Sequence, residues 1–371
     1  MAQIGPLRRD IVEYIRQSCK EEDIHPPVPR DYGDIPVSYE SITKEWLTAT
    51  LARDAFASTV KSFRLGPKDN GSANRRRIEI EWDGPRAPEL PTSVFCKAAH
   101  SAENRIVLAA GGTYSEVFFY NHIRPHLSIE APWAYFAGYN PRSWAAIVIL
   151  KDMSGETTFC NYKTSVTKSQ FTEQVQMLAK LHGQYYQSQH PDFERLLHYK
   201  DRISNLIAVG LENMCVNGFR AAESVIPSRL FARQNEIWPC TLKSVERNAA
   251  LPPTVVHGDV HLDWQTVARG HWSRDLAYVL STAVSVDKRR QWEYEMVEMY
   301  VSELRKHGGP KLNAQEAWLE LRRQSFGVLA YWTLTLTPGE NLPDMQTEEA
   351  CLCFIGRICT MMDDHGVLDA F

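Results

Sequence analysis

None of the eight cysteines forms a C-x-x-C pair. That excludes the usual zinc-ribbon and thiol-redox spacings and suits the reduced thiols of an intracellular protein better than a disulfide framework. Neither sign of charge is in surplus: 41 basic and 45 acidic residues leave a net charge of −4, with no global basic excess to hold nucleic acid. Apolar runs are short. The longest, "AAIVIL" at Ala145 to Leu150 and the interrupted "FGVLAYWTLTL" at Phe326 to Leu336, fall well below the roughly 20 residues that span a bilayer. The opening "MAQIGPLRRDIVEYIRQSCK" has charges every few positions and no apolar core before a cleavage site, so no secretory signal is expected. Solenoid repeats and low-complexity tracts are also lacking. The expectation is a cytoplasmic globular protein without nucleic-acid or membrane partners, its oligomeric state open.

What is present is enough chain for more than one core. At 371 residues the sequence exceeds the roughly 250 to 300 at which single cores stop growing. Residues 1–57 predict a helical extension, with "DIVEYIRQSCKEE" and "ITKEWLTATLAR" around a Pro-rich loop. Residues 58–153 read as a small sheet domain. "TVKSFRLGP", "RRRIEIEWDGP" and "TSVFCKAAH" alternate like strands, "GTYSEVFFYNHIRPHL" has helical spacing, and "PWAYFAGYN" and "SWAAIVILKDM" are strands again. Residues 154–371 read as a mostly helical domain. Its clearest helix, "SQFTEQVQMLAKLHGQYYQ", places Phe171, Val175, Leu178 and Leu181 on one face. Cys351, Cys353 and Cys359 stand among Leu352, Phe354 and Ile355, which predicts a packed helix rather than a metal cluster.

Certain residues stand out against this background. Lys97 ends the strand "SVFCK", and Glu116 follows 19 residues later inside a helix, so the two could pair and hold an ammonium ready for phosphate. Gly71 and Ser72 lie in a small-residue turn between two strands. Such a turn can offer backbone N–H groups to phosphates, although it is neither a Walker A loop nor a G-x-G-x-x-G loop. "VVHGDVHLDWQTVARGHWSRDLAYVL", Val255 to Leu280, sets His257, Asp259, His261 and Asp263 at every second position.

Taken together, the lysine strand, the glutamate helix, the hinge, the helical insert, "VVHGDVHL", "DWQTVARG" and "RDLAYVL" resemble the aminoglycoside phosphotransferase and choline-kinase branch of the protein-kinase-like fold. They resemble the related ecdysteroid-kinase-like group as well. The resemblance runs from about Thr59 to Leu280 and more loosely beyond. It implies an α+β, two-lobed fold with an antiparallel-sheet N-lobe and a larger helical C-lobe, binding ATP and Mg2+ and phosphorylating a hydroxyl on a small-molecule acceptor. By the same resemblance Lys97 would hold nucleotide phosphates, Glu116 would pair with Lys97, and Asp259 would orient or deprotonate the acceptor hydroxyl. Asp263 would bind the metal, Leu150, Asp152 and Met153 would form the hinge beside adenine, and Asp275 would brace the catalytic loop.

The sequence departs from that pattern at one place. Leu262 runs directly into Asp263, without the metal-binding asparagine and the two short strands that follow it in the family. A natural pseudokinase, a splice or gene-model product, and a remodelled active site are the three explanations. Two other functions stay open: an inactive kinase-like binding module, and a metal-dependent hydrolase. The hydrolase would need Val255 to Trp264 to be one strand, with His257, Asp259, His261 and Asp263 on a single face. His122, His126, His182 and His190 are scattered and are expected on helix surfaces.

Overall fold

Alternation between Thr59 and Ala99 becomes strands, and the unbroken apolar run "AAIVIL" becomes the most enclosed one. A computed structural model describes residues 10–55, 57–260 and 264–371. Helices α1 (Ile11–Ile24) and α2 (Lys44–Leu51) precede the sheet. Strands β1 (Thr59–Leu65), β2 (Asp69–Asn70), β3 (Asn74–Asp83) and β4 (Ser93–Ala99) come next, followed by α3 (Ala102–Ala109) and α4 (Gly112–Phe118), then β5 (Ala134–Tyr139) and β6 (Ala146–Lys151). The sheet is antiparallel in the order β1-β3-β4-β6-β5, with β2 added to β3.

Both faces of β6 are covered, which is why it reads as continuously apolar rather than alternating. Val148 and Leu150 pack with Val117 and Phe119 of the α4 region. Ile147 and Ile149 pack with Trp46 and Leu47 of α2 on the opposite face. Helix α2 thus covers the outer face of the sheet, leaving the inner face for α4, while α1 packs Ile11 and Ile15 with Ile106 and Ala109 of the segment after β4.

The break between α3 and α4 directs that inner face. Ser101 caps α3 by accepting from the Asn104 backbone N–H. Gly111 then adopts φ 101°, and a Cβ there would lie 2.3 Å from a Leu197 methyl. Only glycine satisfies both conditions. The turn re-aims the chain so that Glu116 of α4 meets β4.

The helical part contains α5 (Lys168–Gln184), α6 (Pro191–Arg195), α7 (Tyr199–Ala208), α8 (Leu211–Ala221), α9 (Ser228–Phe231) and α10 (Gln234–Ala250). A two-stranded sheet, β7 (Thr254–Val256) with β8 (Ala268–Gly270), follows, and α11 (Ser273–Thr282), α12 (Val286–Lys306), α13 (Ala314–Leu336) and α14 (Glu348–Asp364) complete it. Capping boxes start α5 (Thr167 with Gln170) and α13 (Asn313 with Glu316). The largest core joins Phe171 and Leu178 of α5 with Leu276 of α11, Tyr300 of α12, Phe326 of α13 and Ile355 of α14. Burying each such apolar side chain contributes about 1.5–3 kcal/mol.

The chain therefore has the expected α+β class, a small antiparallel sheet and a larger helical part. Cys351 and Cys359 are buried on α14, the packed helix expected there, and all eight cysteines are free thiols. Among the described residues no helix is long and apolar enough to cross a membrane.

Candidate functional site

The site is built on α11, all ten residues of which are buried. A short helix enclosed on every side must pair its polar groups internally. It does so by gripping the loop after β7. The Asp275 carboxylate accepts from the His257 backbone N–H through Oδ2 and from the Gly258 N–H through Oδ1, the latter at 2.9 Å. Arg274 donates to the Gly258 carbonyl at 3.1 Å, and its guanidinium lies 4.6 Å from the ring centre of Tyr199 and 4.8 Å from that of Tyr331. One turn along, the Tyr278 hydroxyl donates to Asp259 Oδ1 at 2.8 Å.

A second layer fixes Asp275. His182 Nε2 lies 3.1 Å from Asp275 Oδ2, and its Nδ1 lies 2.7 Å from the Tyr300 hydroxyl. Burial pushes the Asp275 pKa upward, but the His182 bond and the nearby charges, Arg274 among them, outweigh it and hold the carboxyl below its ordinary value. Burial, reinforced by the Asp259 charge, raises the Tyr278 pKa well above 10. Tyr278 consequently remains a donor at physiological pH.

The loop between β7 and β8 corrects one expectation. Val255 to Trp264 is not a single strand: β7 ends at Val256, and Gly258 has φ 84°. A Cβ on Gly258 would come within 2.4 Å of Thr266 Oγ1, and Thr266 itself donates to the His257 carbonyl at 3.0 Å. The period-two face required for a metal-binding strand is therefore broken at its second residue. His257 is buried with its ring 4.1 Å from that of Trp264. His261 and Asp263 lie outside the described residues, and among those residues no group of three or more His, Cys, Asp or Glu is placed to hold a metal. A second correction concerns His182, which is expected on a helix surface but is fully buried as the partner of Asp275.

On the sheet side, Lys97 Nζ lies 2.7 Å from Glu116 Oε1, with both side chains almost completely enclosed. The pairing expected from the sequence is present. Gly71 and Ser72 lie in the turn before β3. The Gly71 carbonyl accepts from Asn104, and the Ser72 hydroxyl donates to Gln265 Oε1 at 2.8 Å, so the turn is docked on the segment that follows Trp264. Leu150 is buried in β6. Asp152 accepts from Arg77 Nε at 2.8 Å and from Ser93, tying the end of β6 to β3 and β4. Met153 begins a turn whose carbonyl accepts from Glu156 and Thr157.

Between the two parts, Arg202 of α7 donates to Ser115 of α4 and to the Val267 carbonyl, both at 2.9 Å. Phe119 stacks on Trp264 at 4.0 Å with planes 10° apart. Two cavities meet at Asp259. One lies between the sheet and helical parts, beside Ser72, Arg75, Gln265 and Thr266. The other lies wholly within the helical part, beside Tyr162, Gln174, Thr282 and Arg357. Trp332 and Gln346 border both.

Tyr278, His182, Arg274 and Gln265 are site residues that the sequence motifs left unassigned. Tyr278 had a usable signal, since it stands three positions after Asp275 on a helix and so shares its face.

No family model and no curated protein matches the sequence. Among solved structures, the chain is similar to a Ralstonia eutropha protein assigned provisionally as an aminoglycoside phosphotransferase, with 12% identity over 88% of this chain and 96% of that one and a TM-score of 0.47. It is also similar to an ethanolamine kinase of Plasmodium vivax (8% identity, 98% of each chain, TM-score 0.44). A third is aminoglycoside 2′-phosphotransferase-IIIa in complex with GDP (9% identity, 87% and 98%, TM-score 0.41). At such identities and scores a likeness says nothing of substrate or activity.

Proposed function

We propose that the chain is a small-molecule phosphotransferase of the protein-kinase-like type, using ATP with Mg2+ and a hydroxyl acceptor. The observation that carries this is the setting of Asp259. Its carboxylate is oriented by Tyr278, its loop backbone is clamped by Asp275, and it stands where two cavities meet. In transfer, the acceptor oxygen forms a bond to the terminal phosphorus of ATP, the bridging P–O bond breaks with ADP as the leaving group, and the hydroxyl proton passes to Asp259.

The nucleotide's phosphates would lie on the cavity between the two parts, near Ser72 and Arg75. Lys97, held by Glu116, would supply a fixed positive charge on the inner face of the sheet. Magnesium, when bound, would neutralise phosphate charge, with Asp263 as its proposed ligand. The site belongs in this reading to a cytoplasmic protein, consistent with eight unpaired thiols. Asp259→Asn should lower acceptor phosphorylation, measured by ADP release, by about a hundredfold or more while the melting temperature stays unchanged. Undiminished turnover in that variant would end the assignment.

One observation favours a second reading, a catalytically inactive binding module. Trp264 stacks on Phe119 and is only 2% exposed, while Lys97 is 5% exposed. If this closed arrangement is permanent, ATP has no route to Lys97. The two readings separate on whether MgATP binds.

A further inference from the structure

We infer that the cleft enclosed by α8, α10 and α13 is a second ligand site, for an uncharged bicyclic aromatic molecule that carries one N–H donor. The cleft shares no lining residue with the two cavities at Asp259, and the inference holds whether or not the chain transfers phosphate. Helix α13 separates them. Tyr331, Trp332 and Leu334 line the cavity between the sheet and helical parts, whereas Leu329, Ala330 and Thr333 line the cleft.

Two residues shape it. On α8, Gly218 lets the backbone rest against α13, for a Cβ there would lie 2.1 Å from the Thr333 carbonyl oxygen. On α10, Pro239 stands inside the helix and lines the cleft. A proline at such a position clashes with the carbonyl four residues earlier and has no N–H to give it, so the Asn235 carbonyl lacks its usual helical donor. Asn235 and Pro239 are both exposed and both line the cleft. That carbonyl is therefore an acceptor at the mouth.

The floor is apolar and has no donor to spare. Cys215, Phe219, Ile237, Leu329 and Ala330 are buried there, with Trp238 half-buried beside them. The Cys215 thiol donates to the Ala330 carbonyl at 3.4 Å, Thr241 Oγ1 to the Ile237 carbonyl at 2.9 Å and Thr333 Oγ1 to the Leu329 carbonyl at 2.9 Å. A buried water needs about two to four polar partners, and an apolar cavity of about 150 Å³ stays dry and takes benzene. The cleft measures about 270 Å³, room for two fused rings. Its rim selects against ions. Glu212 and Arg220 bracket the α8 stretch that lines it, eight residues apart, or about 12 Å along the helix, so neither sign of charge prevails. Arg220 Nε already donates to Gln234 at 3.3 Å. The Asn235 carbonyl is left to receive a donor from the ligand.

The test is fluorine NMR on the full chain labelled with 5-fluorotryptophan, the Trp238 resonance being assigned through Trp238→Phe. The probes are indole, 1-methylindole, tryptamine and indole-3-acetate. Indole is expected to shift the Trp238 resonance saturably. 1-Methylindole, which keeps the flat body but loses the donor, should bind about fivefold more weakly, and the charged tryptamine and indole-3-acetate should also bind more weakly than indole. Pro239→Ala gives the Asn235 carbonyl a helical N–H and removes a helix breaker, so it folds while losing the acceptor; indole and 1-methylindole should then bind alike. Val216→Trp, at a half-buried position of the wall, should block the cleft and abolish the shift. The inference is overturned if indole leaves the Trp238 resonance unmoved, or if indole and 1-methylindole bind the unaltered chain equally. A preference for indole that persists in Pro239→Ala, tighter binding of either charged probe, or binding that Val216→Trp leaves intact would overturn it as well.

Discussion

Replacing Asp275 by Asn keeps shape and volume but changes what the side chain can accept. In the native protein one carboxylate satisfies three donors, the backbone N–H groups of His257 and Gly258 and the His182 ring. An amide presents one oxygen and one NH2, so at least one fully buried donor is left facing another donor, at about 1–3 kcal/mol. Arg274, 1% exposed and 3.5 Å from Asp275 Oδ1, also loses its adjacent countercharge, and breaking a buried pair costs about 3–5 kcal/mol. The terms overlap, and the expected total is about 3–5 kcal/mol. Guanidinium titration followed by tryptophan fluorescence and by far-ultraviolet circular dichroism measures it. The native carboxyl pKa is depressed, so its ionised form contributes stability above the unfolded value of about 3.9 and loses it as pH falls through the lower folded value. The difference between wild type and Asp275→Asn should therefore be full at pH 7 and shrink only in strong acid. A loss below about 1 kcal/mol at pH 7 would refute the view that this carboxylate clamps the loop.

Lys97→Met should destabilise by about 3–5 kcal/mol by stranding Glu116, and Glu116→Gln by a similar amount, whereas the double variant should lie nearer wild type than the sum of the two; a double-mutant cycle in urea measures the coupling. Burial lowers the pKa of His100 and of His271 to about 3. Each stays neutral in the folded state while the unfolded state takes up a proton below about 6.5, so stability falls as pH drops from 6.5 toward 3. Linkage gives a loss of about 2 kcal/mol per histidine by pH 5. Melting temperatures across pH 5 to 8 check this, and His271→Gln should flatten part of the slope.

Much of the site could be read from the sequence because its parts are local. The lysine at a strand end, the glutamate inside a helix, the His-Gly-Asp turn and the "RDLAY" helix start each carry their own pattern of spacing or turn chemistry. The pairing of Lys97 with Glu116 followed from putting a strand beside a helix. What escaped depends on distant contacts. His182 and Asp275 are 93 positions apart, and Ser72 and Gln265 are 193 apart; no periodicity links such residues. The alternation of His257, Asp259, His261 and Asp263 suggested one strand because it matched a period of two. Gly258 decides otherwise, since its positive φ lets the chain turn against Thr266 and lets Asp275 grip the backbone. The N-terminal extension was legible as helices, but the seat of α2 on the outer face of the sheet was not, because β6 shows no polar alternation from which to choose a side.

ATP with magnesium, each alone and both together, added to the purified protein in a thermal-shift titration tests the phosphotransfer assignment most directly. A ligand bound only by the folded state raises its stability by about 2.7 kcal/mol at a hundred times its Kd. The assignment predicts a rise in Tm with ATP that is larger with magnesium present and is reduced in Lys97→Met relative to that variant's own unliganded Tm. No rise under any of these conditions, or a rise of the same size in Lys97→Met, would contradict it.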